Sequence, residues 1–203
     1  MSSTKSRKEI LTDKLYYPIR IAILLSVVFL FIPNLNPARI SGMINKNMSL
    51  FTAGISYSSL TAEFGRAFRK GWVEESSMQL LFIASMAMCL GIAAFSVSGC
   101  MSLGNLKCKK TGNIIGTIGC IVELAGIGGI YAAYTQVAQT AKPGKVEPVF
   151  PSGLLLILAI TLLILVISAL QLILFPKLTG KSKFEMPTKF RLFLMLMPSL
   201  ALV

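Results

Sequence analysis

Apolar residues gather along this chain into long runs separated by short polar stretches. Four runs are complete: Leu15 to Ile32, Ser77 to Leu103, Asn113 to Ala138 and Gly153 to Phe175. A helix needs about 20 apolar residues to cross a bilayer. The pattern therefore predicts an all-α polytopic membrane protein with four transmembrane helices, and with the lipid bilayer as its first partner. Pro33 and Pro37 close the first helix, since proline cannot continue one. A fifth apolar run opens after Arg191. Only twelve residues remain from Leu192, too few to span. That run is expected to be the start of a fifth helix, and the chain the N-terminal part of a longer membrane protein.

Between the first two runs, the stretch from Leu50 to Val73 has a different pattern. Leu60, Phe64, Phe68 and Trp72 recur every fourth residue, and Phe51 and Ile55 begin the same series. Glu63, Arg66, Arg69 and Lys70 lie between them. Such spacing predicts an amphipathic helix with an aromatic stripe. The expectation is an interfacial helix on the outer membrane surface, with Trp72 at headgroup level. Packing of that stripe on the rest of the protein is the alternative.

Composition agrees with the pattern. Hydrophobic residues make up 54% of the chain and charged residues 14%, and mean hydropathy is +0.73. A soluble domain carries roughly 25% charged residues. The net charge of +12 raises the question of nucleic acid, and its distribution answers it. Thirteen of the 20 basic residues fall in three stretches flanking apolar runs: Lys5 to Arg20, Lys107 to Lys110, and Lys177 to Arg191. The positive-inside rule requires this of cytoplasmic segments. Seven basic residues remain for the outer loops, about 33–76 and 139–152. The asymmetry predicts a cytoplasmic N-terminus in a plasma-membrane protein, with anionic lipid rather than nucleic acid facing the basic clusters. Arg20 is expected to snorkel towards the cytoplasm beside Tyr16 and Tyr17. The N-terminus lacks a small-x-small cleavage site and reads as a retained anchor.

Little in these residues supports catalysis. There is no histidine, which removes the commonest proton shuttle and metal ligand. There is also no G-x-x-x-x-G-K-[ST] loop. The four cysteines, Cys89, Cys100, Cys108 and Cys120, include no Cys-x-x-Cys pair and suggest neither a metal site nor a disulfide framework. No enzyme activity and no cofactor are expected. Glu123 is the one ionisable residue deep in an apolar run. It lies ten residues from Asn113, about 15 Å into the membrane. A charge there is costly, so the group is expected to be protonated or paired. It reads either as a proton- or ion-coupling site or as an acid hydrogen-bonded to a neighbouring helix.

The third run is rich in small residues. Gly112 and Gly116, Ala125 and Gly129, and Gly129 and Ala133 are each four apart, a spacing that lets membrane helices approach closely. Packing within the chain and homodimerisation both use it. The fourth run, with Leu154-Leu155-Leu156-Ile157-Leu158, is bulky and is expected to face lipid. Residues 141–148 read as an outer turn. The organisation expected is a four-helix membrane extension (1–178), a cytoplasmic linker (179–188) and a further membrane domain from Lys189.

The final stretch adds a family resemblance. Lys189, Arg191, Leu194, Leu196, Pro198 and Leu200 form a basic segment followed by an R-x-x-L-x-L-x-P-x-L pattern. This resembles the opening of permease subunits of binding-protein-dependent carbohydrate ABC importers. The resemblance implies a permease component of an ATP-driven importer for sugars or oligosaccharides. Its implied partners are a second permease, two cytoplasmic ATPase subunits and an extracellular solute-binding protein. Residues 1–176 would be an added membrane scaffold. Two other readings stand beside it. One is a tetraspan structural or interaction protein, although the first outer loop holds no cysteine pair of the claudin type. The other is a small ion-coupled carrier using Glu123.

Overall fold

A computed structural model describes residues 7–33, 35, 48–141 and 151–175, with only the backbone at 7–13, 66, 141 and 152. The turn expected at 141–148 falls largely outside the described residues, and the linker at 179–188 and the permease-like opening at 189–203 fall wholly outside them. Among the described residues six helices follow in order: α1 (Arg7–Phe31), α2 (Leu50–Ile55), α3 (Tyr57–Arg69), α4 (Glu75–Met101), α5 (Leu106–Ala141) and α6 (Ser152–Leu174). Four of them, α1, α4, α5 and α6, are long and apolar enough to cross a membrane. The chain is an all-α, multi-pass membrane protein.

The four long helices close into a ring in which α1 packs on α4 and α6, and α5 packs on α4 and α6. α4 and α5 form a hairpin joined by the short turn 102–105. The basic residues Lys107, Lys109 and Lys110 lie in the first turns of α5, not in the loop that their charge suggested. Asn105 explains the early start. Its side-chain Oδ1 accepts from the Cys108 N–H at 3.0 Å, which satisfies an otherwise unpaired donor of the first turn.

The exposed side chains locate the lipid-facing band. On α1 it runs from Tyr17 to Phe31, and on α4 from Ile83 through Leu90. On α5 it runs from Ile114 to Tyr131, and on α6 from Leu155 to Ile173. Beyond this band exposed residues turn polar: Ser76 and Gln79 on α4, Gln136, Gln139 and Thr140 on α5. The 36 residues of α5 span about 54 Å, well over the ~30 Å hydrocarbon thickness. Its far end, with the start of α4, therefore stands clear of the band and carries α3.

The stretch 50–73 departs from the single interfacial helix expected. Ser56 is extended (φ −154°, ψ 147°) and separates α2 from α3. Hydroxyl caps start both helices, and the one at Ser56 marks the break. Ser49 and Thr52 form a reciprocal capping box at the start of α2, and Ser56 Oγ accepts from the Ser59 N–H at 3.1 Å to start α3. Gly65 then kinks α3 with φ 44° and ψ −106°, a region open to glycine. α3 ends in a Schellman turn: Gly71 (φ 66°) donates to the Phe68 carbonyl and Trp72 to the Ala67 carbonyl.

The stripe also turns inward. Leu60 and Phe64 are fully buried in a cluster with Ala67, Val73, Met78, Leu81, Tyr134 and Val137. Phe68 is half-buried, while Trp72 is 46% exposed with Lys70 Nζ 5.1 Å from its ring. The stripe is a core face because α4 and α5 outrun the bilayer and offer apolar surface that water would otherwise cover. The exposed aromatic edge lies instead on α2, where Phe51 stacks 4.9 Å from Phe31 and Ile55 is 60% exposed.

Candidate functional site: a glutamate in a glycine seam

Among the described residues, α4 and α5 approach closely, and glycine makes it possible. A Cβ placed on Gly112 would lie 2.9 Å from Met101 Cβ, and one on Gly116 2.8 Å from Ser98 Oγ. At Gly119 it would meet Ala94 Cβ at 2.9 Å, and at Gly126 Met88 Cγ at 2.5 Å and the Ala84 carbonyl oxygen at 2.8 Å. At Gly129 it would meet Ala84 Cβ at 2.8 Å. These positions advance by steps of four, three, seven and three, so the seam follows one edge of α5 along the hairpin. Gly91 of α4 answers from the other side, where an added Cβ would lie 2.9 Å from Glu123 Cβ and 3.0 Å from the Gly119 carbonyl oxygen.

Of the small residues singled out by their fourfold spacing, Gly112, Gly116 and Gly129 sit in this seam, and Ala133 is buried in the core. Ala125 does not join them. It is exposed, because the face of α5 that meets α4 passes through 119, 123 and 126 and leaves 125 on the outward side. Gly119, Gly126 and Gly91 are contact residues that the fourfold spacing overlooked. The sevenfold steps Gly112–Gly119–Gly126–Ala133 are the signal that finds the two on α5, since two helices packed in parallel or antiparallel fashion follow a period near 3.5.

Glu123 occupies the middle of this seam. It is nine residues from Ile114 and eight from Tyr131, the two ends of the exposed apolar band on α5. Its side chain is fully buried, and neither carboxylate oxygen has a hydrogen-bond partner among the described residues. Thr161 of α6 adjoins it, but that hydroxyl donates to the Ile157 carbonyl at 2.8 Å. Cys120, one turn away, directs its thiol to the Thr161 carbonyl at 3.8 Å. Tyr134 and Gln136 are engaged elsewhere, Tyr134 donating to the Leu35 carbonyl and Gln136 accepting from the Ser77 hydroxyl at 3.2 Å. An isolated carboxyl in hydrocarbon is costly when ionised.

Among the described residues, no three His, Cys, Asp or Glu side chains are placed to hold a metal ion. Cys89, Cys100, Cys108 and Cys120 are all free thiols. At the far end of the bundle, the kink in α3 leaves a shallow open hollow lined by Ser58, Thr61, Gly65, Phe68 and Arg69. Nearby, the Tyr57 phenol is pushed above its ordinary range, first by burial and then by the Glu75 carboxylate. No family model, curated protein or solved structure matches the chain.

Proposed function

We propose that residues 1–176 are a membrane scaffold, and that the chain serves as a permease component of an ATP-driven importer for sugars or oligosaccharides. The observation that carries the scaffold reading is the closed core. α4 and α5 meet almost backbone to backbone, and the polar groups buried between the long helices are hydroxyls, thiols, the amides of Asn113 and Gln171 and a single carboxyl. A conduit for polar solute needs a lined, hydrated path, whereas this packing favours a rigid support. The importer reading rests on the pattern from Lys189 to Leu200. In it, the bundle positions the permease and places α3 on the outer side, with the basic N-terminus in the cytoplasm.

Mild-detergent purification of the tagged protein from its native membranes tests the proposal. Co-elution with a nucleotide-hydrolysing subunit and a second permease is expected. Removal of residues 1–176 is expected to lower the yield of that complex and leave substrate choice unchanged. An undiminished yield would remove the scaffold role. Elution without any ATPase subunit would remove the importer role. The second reading, a tetraspan interaction protein without transport activity, would then take its place. It is favoured by the α3 cap, which presents the half-exposed Trp72 and Lys70 beyond the lipid-facing band.

A further inference from the structure

At the end of the bundle opposite α3, two cations from different helices converge on one aromatic ring. The buried Tyr16 ring of α1 lies 5.9 Å from the Arg20 guanidinium carbon and 5.4 Å from Lys109 Nζ of α5. Arg20 also lies 5.8 Å from the ring of Tyr17, which is 66% exposed. The guanidinium is held in place. Its Nε donates to Ser102 Oγ at 2.9 Å, and Nη2 donates to the Ser102 carbonyl at 3.3 Å. Those bonds tie α1 to the α4–α5 turn and leave Nη1 without a hydrogen-bond partner among the described residues. Segments 13–20 and 102–110 together contain five basic residues against one acid, Asp13.

We propose that this corner binds the phosphate of an anionic phospholipid, with Arg20 and Lys109 as its cationic groups. The corner sits where the apolar band ends. Ile21 and Leu24 of α1 and Ile114 of α5 are exposed on the membrane side of the charges, so acyl chains have apolar surface below them. Exposed Lys110 lies just beyond. A guanidinium matches phosphate oxygens in geometry and charge, and a lysine adds a mobile point charge. Tyrosine rings settle at the depth of the ester linkages. Basic pockets between membrane helices hold anionic headgroups in this way. Inorganic phosphate offers the same oxygens and none of the apolar contact, so the lipid is the occupant this corner favours.

The test uses the purified full chain in detergent, with phosphatidylglycerol, phosphatidylcholine or inorganic phosphate added. Native mass spectrometry reads retained lipid, and thermal melting reads stabilisation. Phosphatidylglycerol is expected to remain bound and to raise the melting temperature; the other two are not. Lys109→Gln is expected to weaken phosphatidylglycerol retention about fivefold, with a further loss for Arg20→Gln. Because Arg20 also ties α1 to Ser102, Lys109→Gln and the exposed Tyr17→Leu keep the test valid if Arg20→Gln fails to fold. Lys70→Gln, at the far end, removes the same charge and is expected to change nothing. Equal retention by wild type and Lys109→Gln would overturn the proposal. So would an equal loss in Lys70→Gln, or equal stabilisation by inorganic phosphate.

Discussion

α5 packs its two neighbours in opposite ways. Towards α4 it presents glycines, and the helices meet through backbone and Cβ atoms. Towards α6 it meets larger side chains: Cys120 lies in a cluster with Ile160, Ile164 and Ile167. The lesson is about driving force. Lipid tails are as apolar as leucine, so burying apolar side chains between helices gains little inside a membrane. Close approach of two backbones gains dense van der Waals contact, but it leaves no space for even one added methyl group. The α4–α5 seam is therefore expected to be intolerant of change and the α6 face forgiving.

The sharpest break of that contrast is Gly126→Val. Its branched side chain must occupy space already held by Met88 and the Ala84 carbonyl, and a loss of about 3 kcal/mol or more is expected. Chemical unfolding in detergent, followed by circular dichroism, measures it. Next comes the charge in the seam. Glu123→Lys places an unpaired cation at the middle of the apolar band and is expected to cost about 3 kcal/mol. Glu123→Gln, of the same shape, is expected to melt close to the wild type. A Glu123→Gln protein that folds normally yet loses solute uptake would instead assign Glu123 a coupling role. On the forgiving face, Ile164→Val removes one methyl group from the α6 cluster and is expected to cost only about 1 kcal/mol by the same unfolding assay.

The fold was legible because bilayer thickness imposes one length on every crossing helix, and all four runs satisfy it. The stripe from Leu60 to Phe64 was legible as a helix face but not in its direction. An aromatic stripe suits lipid and protein alike, and only the extra length of α4 and α5 turns it inward. Ser49 and Ser56 carried the cap chemistry that divides α2 from α3, and it is visible in the sequence once caps are sought there. Glu123 stood out at once as a buried acid. Its opposition to Gly91 is a tertiary fact, set by the register of the hairpin. Ala125 was misplaced because a fourfold spacing marks one face of a single helix, while a packed pair follows a period near 3.5.

The most direct test of the closed seam is a paired melting measurement of Gly126→Ala and Gly128→Ala. A Cβ at Gly126 meets Met88 and the Ala84 carbonyl, whereas a Cβ at Gly128 meets nothing within 4 Å. Alanine is the better helix former by up to about 1 kcal/mol, so Gly128→Ala is predicted to melt at or above the wild-type temperature. Gly126→Ala is predicted to melt clearly below it, by an amount corresponding to about 1–3 kcal/mol. Equal melting of the two variants would contradict the backbone-to-backbone packing of α4 and α5, and with it the closed core on which the scaffold reading rests.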